Sequence, residues 1–185
     1  MTKTYFDLLH ESNYKSAVCR AAEKLKEEAT RMIKDSGNRR EFDSGAVRDM
    51  AEGKGRCDLM PLDVVGRILG GNRTFDEVFL WISKFKETND GVYLYRAIEA
   101  FTLKRGWNNT TMLLEVAKHF EEGCKKYGED NWRKGIPVKC YIDSAVRHYL
   151  KWLRGDEDEP HDRAFCWNVM CCIWTYEHLE KEGVE

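Results

Sequence analysis

Several features are missing from this chain, and each absence closes off a class of function. No window approaches the ~18 apolar residues of a membrane span, and the start, MTKTYFDLLHESNYK, has neither the basic opening nor the apolar run of a secretory leader. Neither sign of charge is in excess: 30 Lys plus Arg against 32 Asp plus Glu leave a formal net charge of -2, so no global basic field draws the protein to nucleic acid. The seven cysteines, at 19, 57, 124, 140, 166, 171 and 172, form no C-x-x-C pair and no zinc-ligand spacing. Odd in number and mostly flanked by apolar residues, they read as buried small hydrophobes in a reducing compartment. Neither G-x-x-x-x-G-K-[ST] nor G-x-G-x-x-G occurs, and no Ser/His/Asp or Cys/His nucleophile arrangement emerges from spacing. No strand pattern and no internal repeat stand out. The expectation is a soluble, unsecreted, cytoplasmic protein whose 185 residues form one domain.

What is present is helical periodicity. Residues 14–35 carry Val18, Ala22, Leu25, Ala29, Met32 and Ile33 at three- and four-residue spacing, an amphipathic helix ending at Ser36-Gly37-Asn38. Residues 42–60, with Gly45, Gly53 and Gly55 among charges, predict an irregular loop. Pro61 opens a short helix. Two helical patches, about 75–86 and 91–104, are separated by Asn89-Asp90-Gly91, and their aromatics suit packing against the main bundle. Residues 111–127 place Leu113, Val116, Ala117, Phe120, Cys124 and Tyr127 on one stripe, and 140–153 repeat the pattern from Ile142 to Leu153. The last helix, about 160–180, has almost no polar face and is expected at the centre, with Asp158 or Glu159 as cap and Pro160 in its first turn. The fold class is therefore all-α, a compact helical bundle.

Polar residues on these helices are the candidates for chemistry. His161, Asn168 and Thr175 recur every seven residues, within about 40° of one another on an ideal helix. They either satisfy neighbours inside the bundle or line a pocket. Asp156, Glu157, Asp158 and Glu159 form an acidic turn beside His161; it is a helix start favoured by the dipole, or a source of oxygen ligands for Mg²⁺ or Mn²⁺. On 111–127, Glu121 sits at the edge of the apolar stripe, while Glu115, His119 and Glu122 lie nearly opposite and are expected to face solvent. His148 is at an apolar edge, and Asp143 with Arg147 has the spacing of a surface ion pair. Phosphate-handling candidates are Arg48, Lys54 and Arg56 in the glycine-spaced loop, with Lys125, Lys126 and Arg133 elsewhere.

The blocks FDSGAVRDMAEGKGRCDLMP (42–61), HFEEGCKKYGEDNWRKGIP (119–137), YIDSAVRHYLKWLRGDEDEPH (141–161) and CWNV (166–169), taken in that order, resemble the phage dATP/dGTP diphosphohydrolase N-terminal family. They cover roughly half of the chain. Relative to the compact family pattern, 66–111 looks like a helical insertion between a substrate loop at 42–61 and core helices over 112–180.

The resemblance implies a metal-dependent enzyme similar to MazG-type pyrophosphohydrolases, which cut nucleoside triphosphates between the α and β phosphates. The expected substrates are purine deoxynucleotides (dGTP, dATP), the cofactor Mg²⁺ or Mn²⁺, and the assembly a homo-oligomer. By the same resemblance Arg48, Lys54, Arg56, Lys126, Tyr127, Asn131, Trp132, Arg147 and Asn168 bind substrate, with Tyr127 or Trp132 stacking on the purine. Asp158, Glu159 and His161 are catalytic. The metal ligands come from Glu121, Glu122, His148, Asp158, Glu159 and His161. Pro160 stands where related sequences often carry another acid, and the paired-glutamate signature of ordinary MazG proteins is absent in its usual form. Two alternatives remain open: a non-catalytic helical interaction protein, and a phosphohydrolase of another, signalling nucleotide.

Overall fold

The computed structural model describes residues 37–71 and 74–180; the helix expected over 14–35 lies outside the described residues. Six α-helices dominate them: α1 Leu62–Gly70, α2 Glu77–Thr88, α3 Val92–Arg105, α4 Asn109–Tyr127, α5 Val138–Arg154 and α6 His161–Thr175. Their ends have local causes. The side chain of Asp76 accepts from Phe79 N at 3.2 Å to start α2, and that of Asn108 accepts from Thr111 N at 2.8 Å to start α4. Asn89, left-handed at φ 53°, stops α2, and Gly155 at φ 83° stops α5. No described helix is long and apolar enough to cross a membrane.

The last helix is central, as expected from its lack of a polar face. It packs against α3, α4 and α5, and Phe165, Cys166, Val169, Cys171 and Cys172 are buried. A wide π-type turn, Tyr176–Glu180, continues it. Neither Asp158 nor Glu159 caps it: Pro160 occupies the cap position, and His161 N donates to Glu159 O at 2.8 Å. The Asp158 carboxylate is turned instead to the His161 ring.

The stretch 66–111 belongs to the same core. Phe101 of α3 lies 4.5 Å from Phe165 and 5.8 Å from Tyr149, ring centre to ring centre. Buried Asp76 accepts from Lys104 Nζ at 2.6 Å and from Tyr149 Oη at 2.7 Å, so a single carboxylate ties α2, α3 and α5 while capping α2.

Three expectations are corrected. The loop expected over 42–60 contains a strand: β2 Val47–Asp49 pairs antiparallel with β1 Arg39–Glu41 just before the loop, with Arg40 opposite Arg48. Three-residue strands are too short to show alternation, and the visible signal was Gly45, whose φ of 76° closes the turn. The inward face of α4 only partly follows its apolar stripe: Val116 is buried and Phe120 packs on the core, but Leu113 is 51% exposed, while His119 is buried and Glu122 pairs with Arg163. The partner decides that face, because α6 offers Trp167 and Arg163 to His119 and Glu122. Glu121, expected to lean inward, instead points out and pairs with Lys125. Third, the Asp143–Arg147 pair is not superficial: Asp143 is buried and Arg147 half-buried. Asp143 Oδ1 accepts from Cys57 N at 2.7 Å, meeting an amide of the 3-10 turn Cys57–Leu59 that its own turn leaves unpaired.

Replacing Asp76 with Ala should lower unfolding free energy by about 3 kcal/mol or more, because Tyr149 and Lys104 lose their buried acceptor. Tyr149→Phe, which removes one bond and leaves the ion pair, should cost only about 1 kcal/mol. Urea denaturation checks both, and equal losses would mean that the carboxylate is not the node.

Candidate functional site

A cavity of about 990 Å³ opens between the hairpin, α4, α5 and α6. The hairpin forms one wall because four distant side chains pin it. Asn131 binds both polar groups of Val47, accepting from its N–H and donating to its carbonyl at 2.8 Å each. Lys126, almost wholly buried, meets Asp49 at 2.7 Å. Arg48 Nη2 reaches across to Ser144 Oγ on α5 (3.2 Å) and Asn168 Oδ1 on α6 (2.8 Å).

The guanidinium of Arg48 sits 5.0 Å from the Tyr141 ring centre and 5.9 Å from that of Trp167, and burial lowers its pKa. Asn168 is also held by its own helix, donating to Ala164 O at 2.8 Å. Lys54 stands in the cavity lining; lost hydration lowers its ammonium pKa, Asp49 opposes that, and Arg147 and Lys126 reinforce it. Arg147 holds the loop by donating to the carbonyls of Lys54 and Gly55, both at 3.2 Å, while pairing with Asp143.

Where α5 and α6 meet, a compact group of ligand atoms forms. His148 Nδ1 and His161 Nδ1 are 3.0 Å apart, and Glu159 Oε1 lies 3.8 Å from the first and 3.7 Å from the second. Asp158 Oδ1 is 2.7 Å from His161 Nε2, and its other oxygen is 3.1 Å from Lys151 Nζ. Two sets thus share His161: His148 with Glu159, and Asp156 with Asp158. Burial, followed by the neighbouring His161, lowers the pKa of His148, so it is a neutral imidazole. At 3.0 Å only one proton fits between two Nδ1 atoms, so at least one of the two carries no hydrogen and has a lone pair that can accept that proton or bind a cation. Imidazole and carboxylate groups gathered in this way are the donor chemistry of a divalent cation site.

The residues singled out from sequence divide cleanly by position. Arg48, Lys54, Tyr127, Asn131, Trp132, Arg147, His148, Asp158, Glu159 and Asn168 line the cavity, and His161 lies directly behind its wall. Arg56 does not; it forks onto Asp58 at 2.7 and 2.6 Å on the outside of the loop. Lys126 and Glu122 are absorbed by Asp49 and Arg163 beneath the wall. Glu121 reaches the rim but is exposed, and among the described residues neither it nor Glu122 joins a ligand group. Lys125 and Arg133 are exposed. Sequence reasoning missed Ser144, His119 and Trp167. The first carries no signal of its own, the stripe turns His119 toward solvent, and Trp167 belongs to the apolar run of the last helix.

Residues 101–184 match the family model described as dATP/dGTP diphosphohydrolase, N-terminal. The match takes in α4, α5 and α6 with the His148, Glu159 and His161 group, and three of the four blocks that carry the resemblance. It leaves out the hairpin and the block at 42–61, and it spans a little under half of the chain. No curated protein and no solved structure matches the chain.

Burial lowers the pKa of His119 from 6.5 to about 3, so the folded protein holds this ring neutral while the unfolded chain takes up a proton below 6.5. Its contribution to stability is fully present above pH 6.5 and is lost as pH falls toward 3. The slope is up to about 1.4 kcal/mol per pH unit for one proton. Urea titrations between pH 7.5 and 4 should show His119→Gln with a flatter decline than the parent; parallel curves would contradict the assignment.

Proposed function

We propose that this chain is a metal-dependent nucleotide pyrophosphohydrolase that converts purine deoxynucleoside triphosphates to monophosphate and pyrophosphate. The observation that carries the reading is the convergence of His148, Glu159, His161 and Asp158 on a nucleotide-sized cavity also lined by Lys54 and Arg147. The family match over residues 101–184 supports it.

The donor set fits a divalent cation, with His148, Glu159 and His161 as its holders and Asp158 beside them. Two imidazoles make Mn²⁺ a better fit than Mg²⁺, which prefers oxygen alone. Such a cation, when bound, neutralises phosphate charge and stabilises leaving pyrophosphate. The chain's own residues do the rest. Lys54, whose ammonium stands among Asp49, Arg147 and Lys126, meets the phosphate oxygens. The Asp158 carboxylate, held by Lys151 at 3.1 Å, orients the His161 ring through Nε2. Tyr127 and Trp132 offer aromatic faces to the base, Trp132 being steadied edge-on by Phe120 and Trp174. Asn131 acts as a positioning residue, since its amide is spent on Val47.

A homo-oligomer and a cytoplasmic setting belong to the same proposal. Leu113 and Leu114 leave an apolar edge on α4, and the six described cysteines are all free thiols.

Incubation with each common ribo- and deoxynucleoside triphosphate and Mn²⁺ or Mg²⁺ should yield pyrophosphate from dGTP or dATP. Orthophosphate alone, or no product from any of them, would sink the reading. Glu159→Gln and His161→Gln should lower turnover by about 10- to 100-fold, with partial recovery as Mn²⁺ is raised. Glu121→Gln, on the exposed side of α4, should leave turnover unchanged; the reverse pattern would move the cation to α4.

A further inference from the structure

The phosphate role of Lys54 depends on a segment that cannot place it unaided. Lys54 stands between Gly53 and Gly55, left-handed at φ 75° and 78°, and no described atom comes within 4 Å of where either Cβ would sit. Glycine loses more backbone freedom on ordering than any other residue, so a lysine flanked by two of them is poorly fixed by its own chain. Lys54 N donates to Ala51 O at 3.1 Å, which closes a turn but leaves the carbonyls of Lys54 and Gly55 to find donors elsewhere.

The donors come from α5. Arg147 Nε donates to Lys54 O and Nη2 to Gly55 O, both at 3.2 Å, and Nη2 also meets Asp143 Oδ2. Asp143 Oδ1 in turn accepts from Cys57 N at 2.7 Å and from Asp58 N at 3.4 Å. The cation of one ion pair therefore takes two carbonyls while its anion takes two amides, across residues 54–58. His148 of the ligand group follows Arg147 directly, so the same turn of α5 fixes the loop and one ligand. The pairing also limits Arg147 itself: its Nε–Nη2 edge, with which a guanidinium forks onto phosphate, is turned to the loop and to Asp143. Lys54 lines the cavity, its ammonium in the field of Asp49 on the hairpin and Glu159 in the ligand group.

Resting on the phosphate role of Lys54 given above, we propose that Asp143 and Arg147 are positioning residues: their ion pair clamps residues 54–58 to α5 and presents Lys54 to the phosphates. Arg147 acts through Lys54 and not on the ligand, a different part from the substrate contact that the resemblance implies. Because the clamp is closed before a ligand arrives, the freedom of the glycine-flanked segment is lost in folding and not in binding.

The test is calorimetric binding of pyrophosphate to the full chain without metal, with urea denaturation to establish that each variant is folded. Asp143→Asn separates two accounts by sign. Removing an anion from the cavity lining tightens pyrophosphate binding if charge alone matters, whereas loss of the clamp weakens it several-fold. Lys54→Gln should weaken binding about 10-fold. Arg147→Gln should come close to that loss, and Arg147→Lys should do no better, since an ammonium keeps the charge but cannot fork onto two carbonyls. The double variant Lys54→Gln with Arg147→Gln should match Lys54→Gln within about twofold. Tighter or unchanged binding in Asp143→Asn, or full affinity in Arg147→Lys, would overturn the inference; these two variants decide it if Arg147→Gln does not fold. A double variant that loses the product of both single losses would overturn it too, and make Arg147 a phosphate ligand. Absence of turnover with every triphosphate, while pyrophosphate binding still needs Lys54, fails the enzymatic reading alone; binding that needs Lys54 but not the clamp fails this inference alone. If Lys54→Gln binds pyrophosphate as tightly as the parent, or the parent does not bind it, the phosphate role of Lys54 and the clamp fall together.

Discussion

A helix without a solvent face must find partners for its own polar groups, and α6 is such a helix. His161, Arg163, Asn168 and Thr175 are all at least nine-tenths buried on it. Each of the first three draws in a different element: His148 of α5 and the Asp158 turn come to His161, Glu122 of α4 comes to Arg163, and Arg48 of the hairpin comes to Asn168. Burial of polar atoms is tolerable only when they are paired, so packing α6 at the centre also gathers the walls of the cavity. The site and the core are two results of one requirement.

The hairpin shows how the same economy reaches the periphery. Its strands are too short to stand by themselves, and a two-stranded ribbon is marginal in water. Asn131, Lys126 and the pair Ser144 and Asn168 hold its strands through side chains, and the turn adds Ala46 and Phe42 to the apolar core. That arrangement leaves Arg48 of the ribbon, and Lys54 of the loop after it, to the cavity lining. On the other side Asp143 and Arg147 bind the backbone of residues 54–58, so α5 fixes the loop as well as carrying His148.

What could be read from sequence follows from how local each cause is. The α2/α3 break at Asn89-Asp90-Gly91 and the central place of α6 were legible, because a left-handed residue and an unbroken apolar helix declare themselves within a few positions. Asp158, Glu159 and His161 were legible as neighbours, since three residues in one turn cannot be far apart. The face of α4 was not. Its apolar stripe includes the inward Val116 and Phe120, but Trp167 and Arg163 of α6, more than 40 residues on, also draw His119 and Glu122 inward. Nor was the hairpin, whose bonds come from α5, α6 and the α4 to α5 link. An unmet donor such as Trp167 Nε1 has no sequence signature at all, because it is defined by neighbours that fail to supply an acceptor.

Those pins also say when the cavity forms. The bonds from Val47 and Arg48 to Asn131, Ser144 and Asn168 close 84, 96 and 120 residues of chain. Such closures cost chain entropy before they return anything, and their partners exist only once α5 and α6 are paired. The ribbon therefore docks late on a finished helical core and is the first part to lift away as the protein loosens. A chain emerging from synthesis makes this ribbon early, yet the cavity has no complete wall until α6 arrives.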